Sequence, residues 1–223
     1  LYSVIAHDLR SPMGSIKMVL NMLMLNLPVE KIGGEMYELL TMANRTTEDV
    51  FSLLDNLLKW TKSQIGNLNV VYQDVDAVEV VDSVIDVFNM VAGLKKITIR
   101  EEKPEKLPVC TDIDMLKTII RNLLSNAIKF SNENSEVLVK MEEQGDTVVV
   151  SVKDSGCGID EEGQQKLLHT DTHFSTFGTN NEEGSGLGLL LCQDFAVKIG
   201  GKLWFTSKEG EGSTFYFSIP LKK

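Results

Sequence analysis

Basic residues are scarce in this 223-residue chain: 22 Lys and Arg stand against 32 Asp and Glu, giving a formal charge of -10 and a pI of about 4.8. Attraction to nucleic acid by bulk charge is excluded on that ground, as is attraction to an anionic bilayer. Long hydrophobic runs are missing as well. The longest apolar stretch, Met18 to Leu25, is broken by Asn21 and falls far short of the roughly 20 residues a spanning helix needs, so no membrane contact is expected of this chain. The three cysteines, Cys110, Cys157 and Cys192, are odd in number and form no CxxC pair. A disulfide framework is therefore not expected, and each reads as a buried, reduced thiol in a reducing compartment. There is no initiator Met and no basic segment leading to a cleavage site, and the first residues already fall in an amphipathic pattern. The chain reads as a fragment of a longer protein.

What is present is a globular composition, 43% apolar, in two organisational halves. Leu9, Met13, Ile16, Leu20, Leu23 and Leu27 recur at alternating spacings of four and three, a heptad seam on a helix that Pro28 ends. After Gly33 and Gly34 a second long pattern runs from Met36 through Leu39, Leu40, Ala43, Val50, Leu53, Leu54, Leu57 and Leu58 to Ile65. Two such helices make an antiparallel hairpin whose seams cannot both be covered by each other, and a dimeric four-helix bundle is the expected solution. From Val70 onward β-branched runs alternate with single helices. The pattern predicts strands near 70–74, 96–101, 136–143, 147–154, 202–207 and 213–219, with helices over 77–92, 113–130, 161–167 and 188–199. The fold class is α+β: a helical hairpin, then an α/β sandwich with a mixed sheet. Residues 168–185 are polar and aperiodic, a functional lid or a disordered segment.

Four constellations carry chemistry. His7 points away from the seam, with Asp8 beside it and Ser11 one turn on. An imidazole oriented by a carboxylate is a nucleophile, although an exposed helical His is by itself simply surface. Pro12 removes the helix bond to the Asp8 carbonyl and is expected to bend the helix there. Asn122, Asn126 and Lys129 recur at i, i+4 and i+7 on one helix face, where two amides and an ammonium meet a metal-phosphate as readily as they meet solvent. Asp154-Ser-Gly156-Cys-Gly158-Ile159 ends a strand. A carboxylate followed by glycines suits an exocyclic amine, or is merely a strand-to-loop turn. Gly184-Ser185-Gly186-Leu187-Gly188 opens a helix whose free N-H groups suit phosphate, but it is neither a Walker A nor a Rossmann fingerprint. His169 and His173 lack the spacing of a zinc helix.

Taken in order, His7-Asp-Leu-Arg-Ser-Pro12, the Asn122 to Phe130 segment, Asp154 to Ile159, the Phe174/Phe177 loop and Gly184 to Gly188 resemble the H, N, G1, F and G2 boxes of sensor histidine kinases of two-component systems. Gly212 to Pro220 is similar to the family's closing strand. The resemblance covers essentially the whole chain and implies a dimerisation and histidine phosphotransfer domain over residues 1–66, and a catalytic ATP-binding domain of the Bergerat type over 70–223. It implies that His7 is phosphorylated with Asp8 as orienting base. Asn126 with Asn122 would hold Mg²⁺ on the ATP phosphates, Lys129 would contact phosphate, and Phe130 and Phe174 would flank the nucleotide. Asp154 would accept from the adenine amine, with Gly156, Gly158 and Ile159 shaping that wall, and Gly184, Ser185, Gly186, Leu187 and Gly188 would close over the phosphates. The implied partners are a second copy of the chain and a response regulator receiver domain; the implied location is cytoplasmic, compatible with a parent anchored in a membrane through a preceding sensor region.

Two features depart from the family pattern. No Lys or Arg occurs between Lys166 and Lys198, so the lid lacks the usual Arg and cationic help to the γ-phosphate falls to Lys129, the metal or another chain. Ser11 stands where family members with phosphatase activity carry Thr or Asn, and it keeps a hydroxyl. Two alternatives stay open at this level: a nucleotide-binding pseudokinase scaffold, and a Bergerat-fold ATPase that forms no phosphohistidine.

Overall fold

The structure, a computed structural model, describes residues 2–26, 33–64, 69–168 and 187–221. The chain divides into two compact units, Leu1–Leu68 and Asn69–Lys223.

The first unit is a helical pair, α1 (Tyr2–Asn26) and α2 (Gly34–Gln64). Pro12 sits inside α1, which continues across it. Leu54 and Leu58 of α2 are buried, and Met13 of α1 packs against them with Val50 and Leu57. Lys17 crosses between the helices, 3.3 Å from Glu48 and 5.7 Å from the centre of the Phe51 ring. The buried Thr47 and Thr61 hydroxyls donate to their own helix, at 2.8 Å to the Ala43 carbonyl and 2.9 Å to that of Leu57, which leaves neither donor stranded. The seam is only half covered. Met13 and Leu20 are half-buried, while Leu9, Ile16 and Leu23 on α1 and Met36, Leu39 and Met42 on α2 stay exposed. Leu27, Pro28 and Ile65, assigned to the helix ends from sequence, lie outside the described residues.

The second unit runs β1 (Gln73–Asp76), α3 (Ala77–Leu94), β2 (Thr98–Glu102), β3 (Pro108–Thr111), α4 (Ile113–Phe130), β4 (Glu136–Gln144), β5 (Thr147–Lys153), α5 (Glu161–Leu168), α6 (Leu187–Lys198), β6 (Leu203–Lys208) and β7 (Gly212–Pro220). The main sheet has the order β2-β4-β5-β7-β6. Its β2–β4 pair is parallel and the others are antiparallel, so it is mixed. Alternation sets its faces. Val139, Val152, Phe215 and Phe205 lie opposite one another in one row across four strands, and Met141, Val150, Phe217 and Leu203 in the next. Against the sheet lie α3, α4 and α6, with α4 touching both of the others. Helix α4 buries Leu116, Ile119, Ile120, Leu123, Leu124, Ala127 and Ile128, a stripe of helical period. Gly145, at φ 63, makes the β4–β5 turn as the sequence expects.

The sequence pattern misses β3 and places β1 about three residues early. The two pair with each other, apart from the main sheet, in register from Gln73↔Thr111 to Asp76↔Pro108. Strand β3 alternates buried Val109 and Thr111 with less buried neighbours, but four residues are too short a run for that alternation to read in the sequence. This small ladder launches two helices. Asp76 caps α3, its Oδ1 accepting from Val78 N at 3.0 Å and from Leu107 N at 2.9 Å. Asp112 caps α4, its Oδ1 accepting from Met115 N at 3.0 Å and its Oδ2 from Val71 N at 2.8 Å. None of the cysteines forms a disulfide, but the expectation of three buried thiols fails for two: Cys157 is exposed and Cys110 half-buried. Cys192 is buried on α6, and burial pushes its thiol pKa up.

Candidate functional site

Helix α4 supplies one wall. Asn122, Asn126, Lys129 and Phe130 are all half-buried along the rim of its apolar stripe. The Asn122 amide donates Nδ2 to the Thr118 carbonyl at 2.9 Å, which leaves its Oδ1 as a free-facing acceptor. That oxygen meets the start of α6: a Cβ added at Gly188 would lie 2.7 Å from it. Asn126 makes no side-chain hydrogen bond to another described residue. Lys129 holds its ammonium 5.1 Å from the centre of the Phe130 ring.

Asp154 forms the second wall, one residue beyond β5. It is 4% exposed. Its backbone N-H donates to the Ser213 carbonyl at 2.9 Å, while its Oδ1 accepts from Gly156 N at 3.0 Å and Ser213 N at 3.2 Å. Its Oδ2 takes no hydrogen bond from a described residue. Burial, which penalises the charged form, raises the Asp154 pKa; the N-H groups of Gly156 and Ser213 pull the other way but are outweighed. A buried carboxylate with one open oxygen can accept a hydrogen bond from a donor.

The two walls are joined through glycines. A Cβ at Gly156 would fall 2.0 Å from the Phe130 carbonyl oxygen, and one at Gly158, which has φ +65, would fall 2.0 Å from the Lys208 carbonyl oxygen. Only glycine permits the loop to lie on the end of α4 and against β6 at once. Ile159 N donates to Ser207 Oγ at 2.9 Å, and Gln164 Nε2 bonds the carbonyls of Ile159 at 2.7 Å and Ser207 at 3.2 Å.

The structure thus brings together Asn122, Phe130, Asp154, Gly156, Gly158, Ile159 and Gly188 through these contacts. Leu187 opens α6, and His7, Asp8 and Ser11 lie on α1. Phe174, Gly184, Ser185 and Gly186, with Phe177, His169 and His173, lie outside the described residues. Sequence reading missed Ser207, Ser213 and Gln164 as site residues. A signal existed for two of them. Ser213 lies opposite Ser207 and is in phase with the inward Phe215, Phe217 and Ile219. A polar residue at a core-phase position beside a strand-end carboxylate marks a row, Asp154–Ser213–Ser207, that continues the apolar rows with polar groups.

This fold and site define an ATPase domain. The chain belongs to the family of histidine kinase-, DNA gyrase B- and HSP90-like ATPases, whose model matches residues 111–223. Its relatives within that family are sensor histidine kinases. The adaptive-response sensory kinase SasA of Crocosphaera subtropica is 29% identical over 98% of this chain. The chain spans 58% of that relative's length, little more than half. The catalytic domain of the histidine kinase ThkA has a TM-score of 0.60 and 30% identity, covering 69% of this chain and 99% of that one. Full-length ShkA in complex with AMPPNP shares the fold, with a TM-score of 0.73 at 21% identity over 100% of this chain and 46% of its own.

The site fits ATP and Mg²⁺ on its own donor set. Asp154 Oδ2 is an open acceptor, and the Asn122 amide presents oxygen, the hard ligand that Mg²⁺ prefers. Among the described residues no group of three His, Cys, Asp or Glu side chains gathers to hold a metal.

Proposed function

We propose that the chain is the catalytic core of a homodimeric, ATP- and Mg²⁺-dependent protein histidine kinase that phosphorylates His7 and hands the phosphoryl group to an aspartate of a response regulator receiver domain. The observation that carries the reading is the buried Asp154, one oxygen held by Gly156 and Ser213 and the other open, locked through Gly156 onto the helix that bears Asn122, Asn126 and Lys129. Asp154 accepts from the adenine amine; Gly158 and Ile159 hold its loop to β6. Asn122 and Asn126 offer amide oxygens to Mg²⁺ on the triphosphate, and Phe130 borders the base. Lys129 is a cation on this wall, and with no Lys or Arg between Lys166 and Lys198 the phosphate charge that a lid Arg bears elsewhere falls to it, to the metal or to another chain. Phe174, Gly184, Ser185 and Gly186 complete the proposed ATP-binding set, with Leu187 and Gly188 at the start of α6.

Phosphoryl transfer needs in-line placement and charge neutralisation more than covalent help. His7 supplies the attacking imidazole nitrogen, and Asp8 holds the other nitrogen and takes its proton as the N–P bond forms and the bond to ADP breaks. Residues 1–66 serve dimerisation and phosphotransfer and residues 70–223 serve catalysis, in the cytoplasm. Exposed apolar seam residues on α1 and α2 support the dimer, since a second hairpin would cover them.

Incubation with γ-labelled ATP and Mg²⁺ tests the reading. Label that is acid-labile, alkali-stable and lost in His7→Gln is expected. Phosphate release without any phosphoprotein points instead to a simple ATPase, and nucleotide binding without phosphorylation to a scaffold; either result overturns the kinase assignment.

A further inference from the structure

Lys95 belongs to none of the constellations above, yet its side chain reaches the nucleotide wall from behind. It is the residue that follows α3, and its backbone N-H caps that helix by bonding the carbonyls of Ala92 and Gly93. Lys96 then reverses the chain at φ 57. The Lys95 ammonium lies 3.1 Å from the Ile128 carbonyl oxygen, 3.0 Å from that of Lys129 and 3.4 Å from that of Ser131. Of the four consecutive carbonyls 128–131, Lys95 gathers three. The fourth, that of Phe130, is the one on which Gly156 rests, with room for no Cβ.

This places one cation at the joint between the two walls. The last carbonyls of a helix carry partial negative charge and lack helical donors. An ammonium bonded to them holds the terminal turn of α4 and the path of the chain into Ser131. That turn bears Lys129 and Phe130, and it is the platform for the Asp154 loop. From this geometry we infer that Lys95 is a positioning residue for nucleotide, setting the spacing between the Asp154 acceptor and the Lys129 rim without touching the ligand. The inference rests on the nucleotide reading given above.

Lys95→Met keeps the aliphatic stem and removes charge and donors, and AMPPNP with Mg²⁺ is the probe. In protein shown folded by near-ultraviolet circular dichroism, calorimetry should give a Kd at least about fivefold weaker than the parent's. In the kinase assay KM for ATP should rise with kcat at saturation retained, and Lys95→Arg should recover most of the affinity. A role confined to stability would lower the melting temperature and leave the Kd of the folded protein unchanged; that result overturns the inference. Should the Met variant not fold, Lys95→Gln takes its place with the same criteria, and loss of folding in both also overturns it. A parent chain that binds no AMPPNP overturns the nucleotide reading itself, whereas parent binding matched by a folded Lys95→Met overturns the positioning role alone.

Discussion

Asp154 opposes stability to function within one side chain. Its folded-state pKa is raised by burial, so the stability it contributes is fully present below the ordinary carboxyl range, near pH 4, and is lost as pH rises through the raised value. Asp154→Asn keeps an oxygen for Gly156 N and Ser213 N and removes the buried charge. It should therefore melt at a higher temperature than the parent, by a margin that grows from about pH 4 upward and then levels off; a margin that stays flat in pH-resolved melting curves would count against a raised pKa. The same change puts a donor where the ligand amine needs an acceptor. Losing a hydrogen bond to a charged group should weaken nucleotide binding roughly ten- to hundredfold by calorimetry.

Among the elements, legibility followed periodicity. Helix α4 is readable from sequence over Ile113–Phe130 because its apolar residues keep strict helical spacing and Asp112 caps it, and Gly145-Asp146 marks a hairpin between two alternating strands. Pattern fails where contacts between distant residues decide. Strand β3 exists because β1 pairs with it, and Lys95 matters because three carbonyls more than thirty residues away converge on it. The chemistry-bearing residues were legible as types and spacings. Their juxtaposition, such as Gly156 on the Phe130 carbonyl, was not, since nothing local connects the two. The half-covered seam of α1 and α2 carries its own prediction. Leu23 is 37% exposed and Ile16 is 48% exposed. Burying such a side chain from full exposure contributes about 1.5–3 kcal/mol; with half or less of that still to be gained here and each residue counted twice in a symmetric dimer, Leu23→Glu or Ile16→Glu should weaken self-association roughly tenfold or more. Light scattering should find monomer, with the spectrum of a folded second unit unchanged; an intact dimer would place the interface elsewhere.

For the whole molecule, the acidic balance seen at the outset acquires a local meaning. Among the described residues of the second unit, lysines pair with surface carboxylates, as Lys103 does with Asp82 and Glu101 and Lys140 with Glu142. Such pairs contribute little on their own. In the kinase proposed above, the phosphate charge would fall on Lys129, on Mg²⁺ or on another chain.

The ladder of β1 and β3 also bears on how the second unit opens. Asp76 and Asp112 each accept from an amide of the helix they cap and from an amide far along the chain, Leu107 for one and Val71 for the other. Each cap has its full set of bonds only when the two strands are paired, which predicts that the first turns of α3 and α4 open together. Hydrogen exchange makes this visible. Asp112→Ala, a cap loss, should accelerate exchange at Met115 roughly tenfold and should carry Val71 and the Val78 turn of α3 with it; acceleration confined to Met115 would mean that the helices open independently.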